Sequence, residues 1–316
     1  MRPKRSYLLL LSLLVPGAVT AERAFLTHQA ADSVSVVDLE TMERLAELKV
    51  AAAPVGVAID NLGKRFYVTH PEKGLISVID SESYKKVGEV RTGGQLFGIA
   101  VDSGDKHQVF VADWERNAVL VVNPESMLVV DLLAVGENPA GLTLDSERRR
   151  IYVANRESNS LSVLDADTPD LYAEVETGKA PYAVSISADG KLVFVTGIQD
   201  DSLTVIDTQD YSVTARLEAG DKPYGVATTP DNRYVLVVNQ GSNDLWVYDQ
   251  QTLEKLVEIP VGEMPESVAV SADGAYAYVT NWFSNDLSVI ELATRREIKR
   301  LPVAESPRSL GRFVAD

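Results

Sequence analysis

The chain has 316 residues, of which 45% are hydrophobic and 24% charged, a balance typical of a globular protein. It contains no cysteine, which excludes disulfides, thiolate metal sites and cysteine nucleophiles. Its formal net charge of -16 repels phosphate backbones and anionic lipids, so we expect no nucleic acid among its partners.

The N-terminal residues have the pattern of a secretory signal peptide. Arg2, Lys4 and Arg5 form a basic start, residues 7–15 form an apolar run, and residues 19–21 form a small-residue cleavage site. The run is shorter than the roughly 20 apolar residues that span a bilayer, and no later segment predicts membrane insertion. We therefore expect a cleaved signal peptide over residues 1–21, export to the periplasm or the medium, and one mature domain over residues 22–316.

The mature chain is built from repeats of 42 or 43 residues. One column marks the end of an apolar segment: Asp38, Asp80, Asn123, Asp165, Asp207, Asp249 and Glu291. A second column is proline in all but one repeat: Pro54, Leu96, Pro139, Pro181, Pro223, Pro265 and Pro307. Columns that stay in register along the whole mature chain indicate a repeated scaffold.

Each repeat predicts four short β-strands. In the last complete repeat, residues 265–271 and 276–281 are strand-like segments joined by an Asp-Gly hairpin turn, and residues 286–291 form a third. A charged fourth segment, near residues 295–303, is typical of an exposed sheet edge. Four strands in about 42 residues are typical of a propeller blade. The mature chain starts at a second strand and ends with a lone first strand. The prediction is therefore an all-β, seven-bladed β-propeller of four-stranded blades, closed by the C-terminal strand joining the N-terminal blade.

The repeat also resembles a known family. Residues 278–281 read Tyr-Val-Thr-Asn, the signature of the YVTN β-propeller repeats, and residues 152–155 are the variant Tyr-Val-Ala-Asn. The resemblance extends over the mature chain and is to the YncE-like, exported bacterial type. It implies a seven-bladed propeller and export, but it implies little about activity because the shared residues are structural. There is no Trp-Asp dipeptide, so the WD-repeat subclass is not indicated.

Residues that depart from the repeat are the candidates for a site, because the scaffold does not require them. The proline end of each first strand and the polar loop after each second strand share one face, which we call the mouth face. The loops between first and second strands lie on the opposite face, which we call the turn face. The candidate ligand-binding residues at the channel mouth are Phe97, Tyr182, Tyr224, Glu266, Arg308, Trp114, Arg156, Trp282 and Phe283. An aromatic mouth with a few charges is typical of a site for a small ligand or a peptide.

Two histidines, His28 and His70, occupy equivalent places on adjacent blades and are the weak candidates for a metal site. Shared coordination needs ligand atoms about 2 Å from one ion, whereas equivalent strand ends on neighbouring blades are expected to lie farther apart. We therefore predict no metal site and no cofactor. The sequence also lacks a nucleophile elbow, a P-loop and a His-Glu-x-x-His motif.

These observations favour a non-enzymatic, monomeric, periplasmic binding protein that presents its mouth face to an exported protein partner or a small ligand. One alternative is a lactonase-like hydrolase, since similar propellers include sugar-lactone hydrolases; it would use Glu266, Arg308 and His28 to activate water. Another is an accessory protein for a periplasmic redox cofactor, a d1-type haem or a quinone, because propellers of this type accompany such systems.

Overall fold

The computed structural model describes residues 22–104 and 106–315, so the predicted signal peptide lies outside the described residues. Within them, 28 strands form seven separate four-stranded antiparallel sheets, and no helix is present. The predicted all-β, seven-bladed propeller is confirmed. The described residues include no helix long and apolar enough to cross a membrane.

Each blade uses its four strands in the same order from the channel outwards. The innermost strands are β4 (Val57–Asp60), β8 (Leu96–Asp102), β12 (Pro139–Asp145), β16 (Pro181–Ile186), β20 (Pro223–Thr228), β24 (Pro265–Val270) and β28 (Val314–Ala315). The second strands are β1 (Arg23–His28), β5 (Arg65–His70), β9 (Gln108–Asp113), β13 (Arg150–Asn155), β17 (Leu192–Gly197), β21 (Tyr234–Asn239) and β25 (Tyr276–Asn281). The third strands are β2 (Ser33–Asp38), β6 (Leu75–Asp80), β10 (Ala118–Asn123), β14 (Ser160–Asp165), β18 (Ser202–Asp207), β22 (Asp244–Asp249) and β26 (Asp286–Glu291). The outer strands are β3 (Glu43–Lys49), β7 (Lys86–Arg91), β11 (Leu128–Ala134), β15 (Leu171–Glu176), β19 (Val213–Glu218), β23 (Lys255–Pro260) and β27 (Arg296–Pro302).

The core lies between the blades. Second and third strands are apolar on both faces because each blade is covered by a neighbour on either side. Leu236 and Val238 of β21, for example, share one cluster with Val279 of β25 and Ile290 of β26, and all four are 0% exposed. Dispersion and hydrophobic burial therefore act mainly from blade to blade around the ring.

The acidic column stabilises the turns that leave the third strands. Asp38 Oδ1 accepts the backbone N–H groups of Glu40 and Thr41 at 3.0 and 2.8 Å. Asp249 does the same for Gln251 and Thr252. A short side chain that bonds amides two and three residues later favours a tight turn, so this column is structural.

The ring is closed as the sequence predicts, because β28 pairs with β1 and completes the sheet β28-β1-β2-β3. The closing segment is longer than β28 but irregular: Arg308 N donates to Thr27 O at 2.9 Å, and Phe25 N donates to Phe313 O at 2.8 Å. The segment has two more residues than the innermost strands of the other blades, because Pro307 lies opposite His28 and Val314 opposite Ala24. Within it, Gly311 has a φ of 113°, a conformation that favours glycine. A Cβ atom there would lie 2.6 Å from the carbonyl oxygen of Val57.

Replacing Phe313 with alanine should weaken ring closure. Phe313 is 0% exposed and packs in the cluster that joins the first, second and last blades. We expect Phe313→Ala to lower the free energy of unfolding by about 3–5 kcal/mol, measured by urea denaturation. Phe283→Ala is the matched control, because Phe283 is 61% exposed and its loss should change stability by less than about 0.5 kcal/mol. Equal effects of the two changes would contradict this account of closure.

Candidate functional site

The charged candidates at the mouth bind one another. The guanidinium of Arg308 donates to the hydroxyl of Tyr182 at 2.9 Å, and its Nε lies 3.3 Å from Oε2 of Glu266. The other carboxylate oxygen of Glu266 accepts a hydrogen bond from the side-chain amide of Gln240 at 2.7 Å. Tyr182 and Glu266 are only 4% and 5% exposed. These side chains come from the first, fifth, sixth and seventh blades, so their contacts span the channel.

Aromatic side chains and a second glutamine, Gln29, extend this buried cluster. The rings of Tyr182 and Tyr224 lie 4.7 Å apart. Gln29 Oε1 accepts from both Trp282 Nε1, at 3.3 Å, and Arg308, at 3.1 Å. Sequence reasoning missed Gln29, although it directly follows the end of β1 as Trp282 follows the end of β25. We call the group Gln29, Tyr182, Tyr224, Gln240, Glu266 and Arg308 the mouth plug.

The remaining mouth candidates lie beside the plug. Phe97 and Trp114 form an aromatic pair with centroids 5.1 Å apart, and the guanidinium of Arg156 lies 5.8 Å from the Trp114 ring. The ring centroids of Phe283 and Trp282 lie 6.4 Å apart, and Phe283 is the exposed member of that pair. Of the nine candidates, Phe283 thus projects from the surface and three form a neighbouring aromatic and cationic group: Phe97, Trp114 and Arg156. The other five belong to the buried cluster or contact it: Tyr182, Tyr224, Glu266, Arg308 and Trp282.

Burial governs the protonation of the mouth plug. Burial raises the pKa of the Glu266 carboxyl, and the adjacent Arg308 opposes that rise. Burial also raises the pKa of Tyr182, and it raises the pKa of Tyr224 to about 12, so both hydroxyls stay protonated at neutral pH. The plug is therefore a desolvated ion pair surrounded by neutral hydroxyls and amides.

The two candidate metal-binding histidines have structural partners. His28 Nε2 lies 2.8 Å from Ser35 Oγ, and His70 Nε2 lies 3.0 Å from Ser77 Oγ, each seven residues later. Asn281 donates to Ser288 across the same interval. The histidines thus occupy the position that Asn281 occupies in the last blade. Alignment of the repeats in the sequence already places these residues in one column.

Desolvation keeps these two histidines neutral. Burial lowers the pKa of both His28 and His70 to about 4. Among the described residues, no group of three or more histidine, aspartate or glutamate side chains is arranged to hold a metal ion.

A large cavity lies below the plug, in the axial channel, and extends to the turn face. Its volume is about 1160 Å³, and its walls are the innermost strands beyond the mouth positions, with the turn-face loops at its rim. Apolar side chains such as Ile99, Leu142 and Val184 alternate with hydroxyls such as Thr143 and Ser185. None of the nine mouth candidates lines it. The mouth face is therefore closed by the plug, and the accessible concavity opens on the other side of the ring.

Ion pairs hold the charged side chains at one part of this rim. Arg149 contacts Asp102 at 2.6 Å and Asp167 at 2.7 Å, and Lys106 contacts Asp167 at 3.0 Å. Asp102 and Arg149 come from adjacent blades, so this network also ties the third and fourth blades together. It leaves neither acid free for proton transfer.

Two sequence families match parts of the chain. The family described as cytochrome D1 heme domain matches residues 145–268, and the family described as YNCE-like beta-propeller matches residues 227–314. Together with the seven-bladed ring, the second match confirms the resemblance to YncE-like propellers. No curated protein matches the chain in sequence.

Solved structures share the fold. Hydrazine synthase of Kuenenia stuttgartiensis aligns with a TM-score of 0.78 at 22% identity, over 85% of this chain and 92% of that one. Dihydro-heme d1 dehydrogenase NirN, in complex with DHE, aligns with a TM-score of 0.70 at 17% identity, over 90% and 74%. A functionally unknown protein of Desulfotomaculum acetoxidans aligns with a TM-score of 0.78 at 14% identity, over 93% and 98%. Likeness at these identities establishes the propeller fold and no activity.

Replacing Arg308 with methionine should destabilise the protein in a pH-dependent way. The change leaves the buried Glu266 carboxylate without its cation, which should cost about 3–5 kcal/mol at pH 8. Loss of the cation also raises the pKa of Glu266 further above its value in the unfolded chain. An acid with a raised folded-state pKa destabilises the fold as pH rises, and the penalty fades as pH falls and the carboxyl becomes protonated.

Urea denaturation at pH 8 and pH 5 measures this effect, and the deficit of Arg308→Met should be smaller at pH 5. Arg44→Met is the control, because Arg44 pairs with Glu47 on the surface and its loss should change stability little at either pH. A deficit in Arg308→Met that does not change with pH would mean that Glu266 carries no buried charge.

Proposed function

We propose that this protein is an exported, non-catalytic binding protein that holds a small organic ligand in its axial cavity. The supporting observation is the cavity itself. Its volume of about 1160 Å³ is at the upper end of the roughly 300–1,000 Å³ typical of ligand pockets. Its walls combine apolar side chains with a few hydroxyls, the usual composition of a site for an organic molecule.

In this proposal the mouth face is the surface that binds an exported protein partner. Phe283 is 61% exposed beside Trp282, and exposed aromatic side chains are enriched at protein interfaces. Arg156 lies close by over Trp114. By contrast, Tyr182 and Glu266 are too buried to contact a partner without opening the plug. Ligand and partner would then occupy opposite faces of one rigid ring.

The geometry gives less support to a lactonase. Glu266 and Arg308 do contact each other, but the pair is desolvated and Glu266 is also engaged by Gln240. His28, the third residue of that hypothesis, is 0% exposed and bonded to Ser35. A general base must reach the proton of a water molecule beside the substrate, and these groups face one another instead.

A role beside a d1-type haem is the second candidate, favoured by the match of residues 145–268 to the cytochrome D1 heme domain family. The described residues of the cavity do not fit iron ligation, because no histidine, methionine or tyrosine among them lines it. A tetrapyrrole in this cavity would be held only through its periphery. The match therefore supports transport or presentation of such a molecule more than catalysis with it.

Export is tested by the N-terminus of the mature protein. When the full chain is expressed in a Gram-negative host, we expect most of the protein in the periplasmic fraction. Its N-terminal residue, determined by mass spectrometry, should be Glu22, because the small residues that precede it form the cleavage site. A cytoplasmic protein that retains residues 1–21 would contradict the localisation.

The cavity is tested by filling it. Thr143 lies half-buried on its wall, so Thr143→Trp should place an indole in the space that a ligand needs. The probe is N-phenyl-1-naphthylamine, a neutral dye whose fluorescence rises in apolar surroundings. We expect binding to the wild type and a loss of at least about tenfold in affinity in Thr143→Trp, equivalent to about 1.4 kcal/mol.

The matched control is Thr252→Trp, which adds the same indole at an exposed turn after β22 and should bind the dye like the wild type. Urea denaturation of both variants checks that they remain folded. Absence of dye binding to the wild type, or equal binding by all three proteins, would contradict a ligand site in the channel.

A further inference from the structure

One cavity position departs sharply from the repeat. In six blades the fifth residue after the proline column pairs with the second-strand residue equivalent to Ala277, and all six are apolar or threonine: Ile59, Val101, Leu144, Ile186, Thr228 and Val270. In the first blade the equivalent residue, Ala24, pairs with Val314, although Pro307 still lies opposite His28. The first blade therefore has two more residues than the others before this level, and Arg312 lies in that insertion, where strand pairing does not require an arginine.

Among the described residues of the cavity wall, Arg312 is also the charged group without a partner. Two acids, Asp102 and Asp167, and three bases, Lys106, Arg149 and Arg312, line the described part of the cavity. The first four are paired with one another. The exposed Arg312 forms no ion pair or hydrogen bond with residues 22–104 or 106–315. The charged lining residues that the structure describes thus sum to +1, in a chain whose formal net charge is -16.

The position of Arg312 sets the geometry of what it can bind. It follows Leu310 and Gly311 in the irregular closing segment, and all three line the cavity, so a ligand that reaches the guanidinium also contacts the apolar wall. A guanidinium offers two parallel N–H donors that match a carboxylate, and the low polarity of the neighbouring wall strengthens such a pair. An anion without an apolar part would leave that wall uncovered.

We propose that Arg312 anchors an amphipathic carboxylate, with its carboxylate on the guanidinium and its hydrocarbon or aromatic part in the axial cavity. This assignment rests on the proposed ligand site and adds the class of ligand. The guanidinium attracts an anion into the channel, whereas the negative net charge of the chain repels anions elsewhere on the surface. Selectivity arises because the insertion adds one arginine to a wall that is otherwise uncharged at this level.

The test compares a carboxylate with its neutral isostere. Isothermal titration of the full mature protein with 4-phenylbutyrate and with 4-phenylbutyramide should show tighter binding of the acid. In Arg312→Gln the affinity for the acid should fall about 10- to 100-fold, the effect of losing a charge-assisted hydrogen bond, while that for the amide stays unchanged. Arg312→Val, which removes the polar head entirely, should behave in the same way and remain folded because Arg312 is exposed.

Arg296→Gln is the matched control, because Arg296 is exposed on the outer strand β27 and its loss changes the net charge equally. It should bind both probes like the wild type. Inorganic phosphate should bind much more weakly than 4-phenylbutyrate. If phosphate binds as tightly, the site takes simple anions and the amphipathic assignment is wrong.

The outcomes separate this assignment from the proposed function. If Arg312→Gln binds the acid as tightly as the wild type does, or the amide and the acid bind the wild type equally, Arg312 is not the anchor. The same conclusion follows if neither probe binds while the neutral dye still binds in a manner sensitive to Thr143→Trp; the cavity site then stands. If neither the dye nor the probes bind, both proposals fail.

Discussion

Ring closure is the constraint on which the rest of the structure depends, because each blade is stable only when both of its apolar faces are covered. The end of the chain must therefore return to its beginning. Phe313 and the short strand β28 do this beside β1, within a cluster that includes Phe25, Phe66 and Tyr278 from three different blades. With the first and last blades joined, the seven innermost strands are held around one axis. The channel and both of its ends follow from that arrangement.

Departures from the repeat have two different physical meanings in this molecule. At the mouth, Arg308 differs from the apolar or aromatic residues at the equivalent positions of most other blades. It pairs with Glu266 and hydrogen-bonds to Tyr182, so these side chains bind one another and close the channel. Four residues later, Arg312 lies in the insertion that precedes β28, lines the cavity and finds no such partner among the described residues. A charged side chain that faces a cavity without a protein partner is better evidence for a ligand than one that the protein itself pairs.

The propeller also shows how chemically suggestive residues can be structural. His28 and His70 look like metal ligands in isolation, yet each performs the hydrogen bonding that Asn281 performs in its own blade. The acids that end the third strands bind turn amides in the same repeated way. In a repeat protein, comparison between equivalent positions within one chain therefore replaces much of what comparison with other chains would supply.

The sequence by itself determined the architecture: the period, the number of blades, the order of strands and the C-terminal closure all follow from local patterns that recur in register. It also identified the mouth residues that depart from the repeat, including Tyr182, Glu266 and Arg308. Only the tertiary structure decided that these residues plug the channel and that the open cavity faces the other way. The reason is that their contacts cross the ring between blades more than 40 residues apart in sequence, and side-chain length and direction determine whether such groups meet. The same holds for Arg312, because only the structure shows that the other charged residues described in the cavity wall pair with one another.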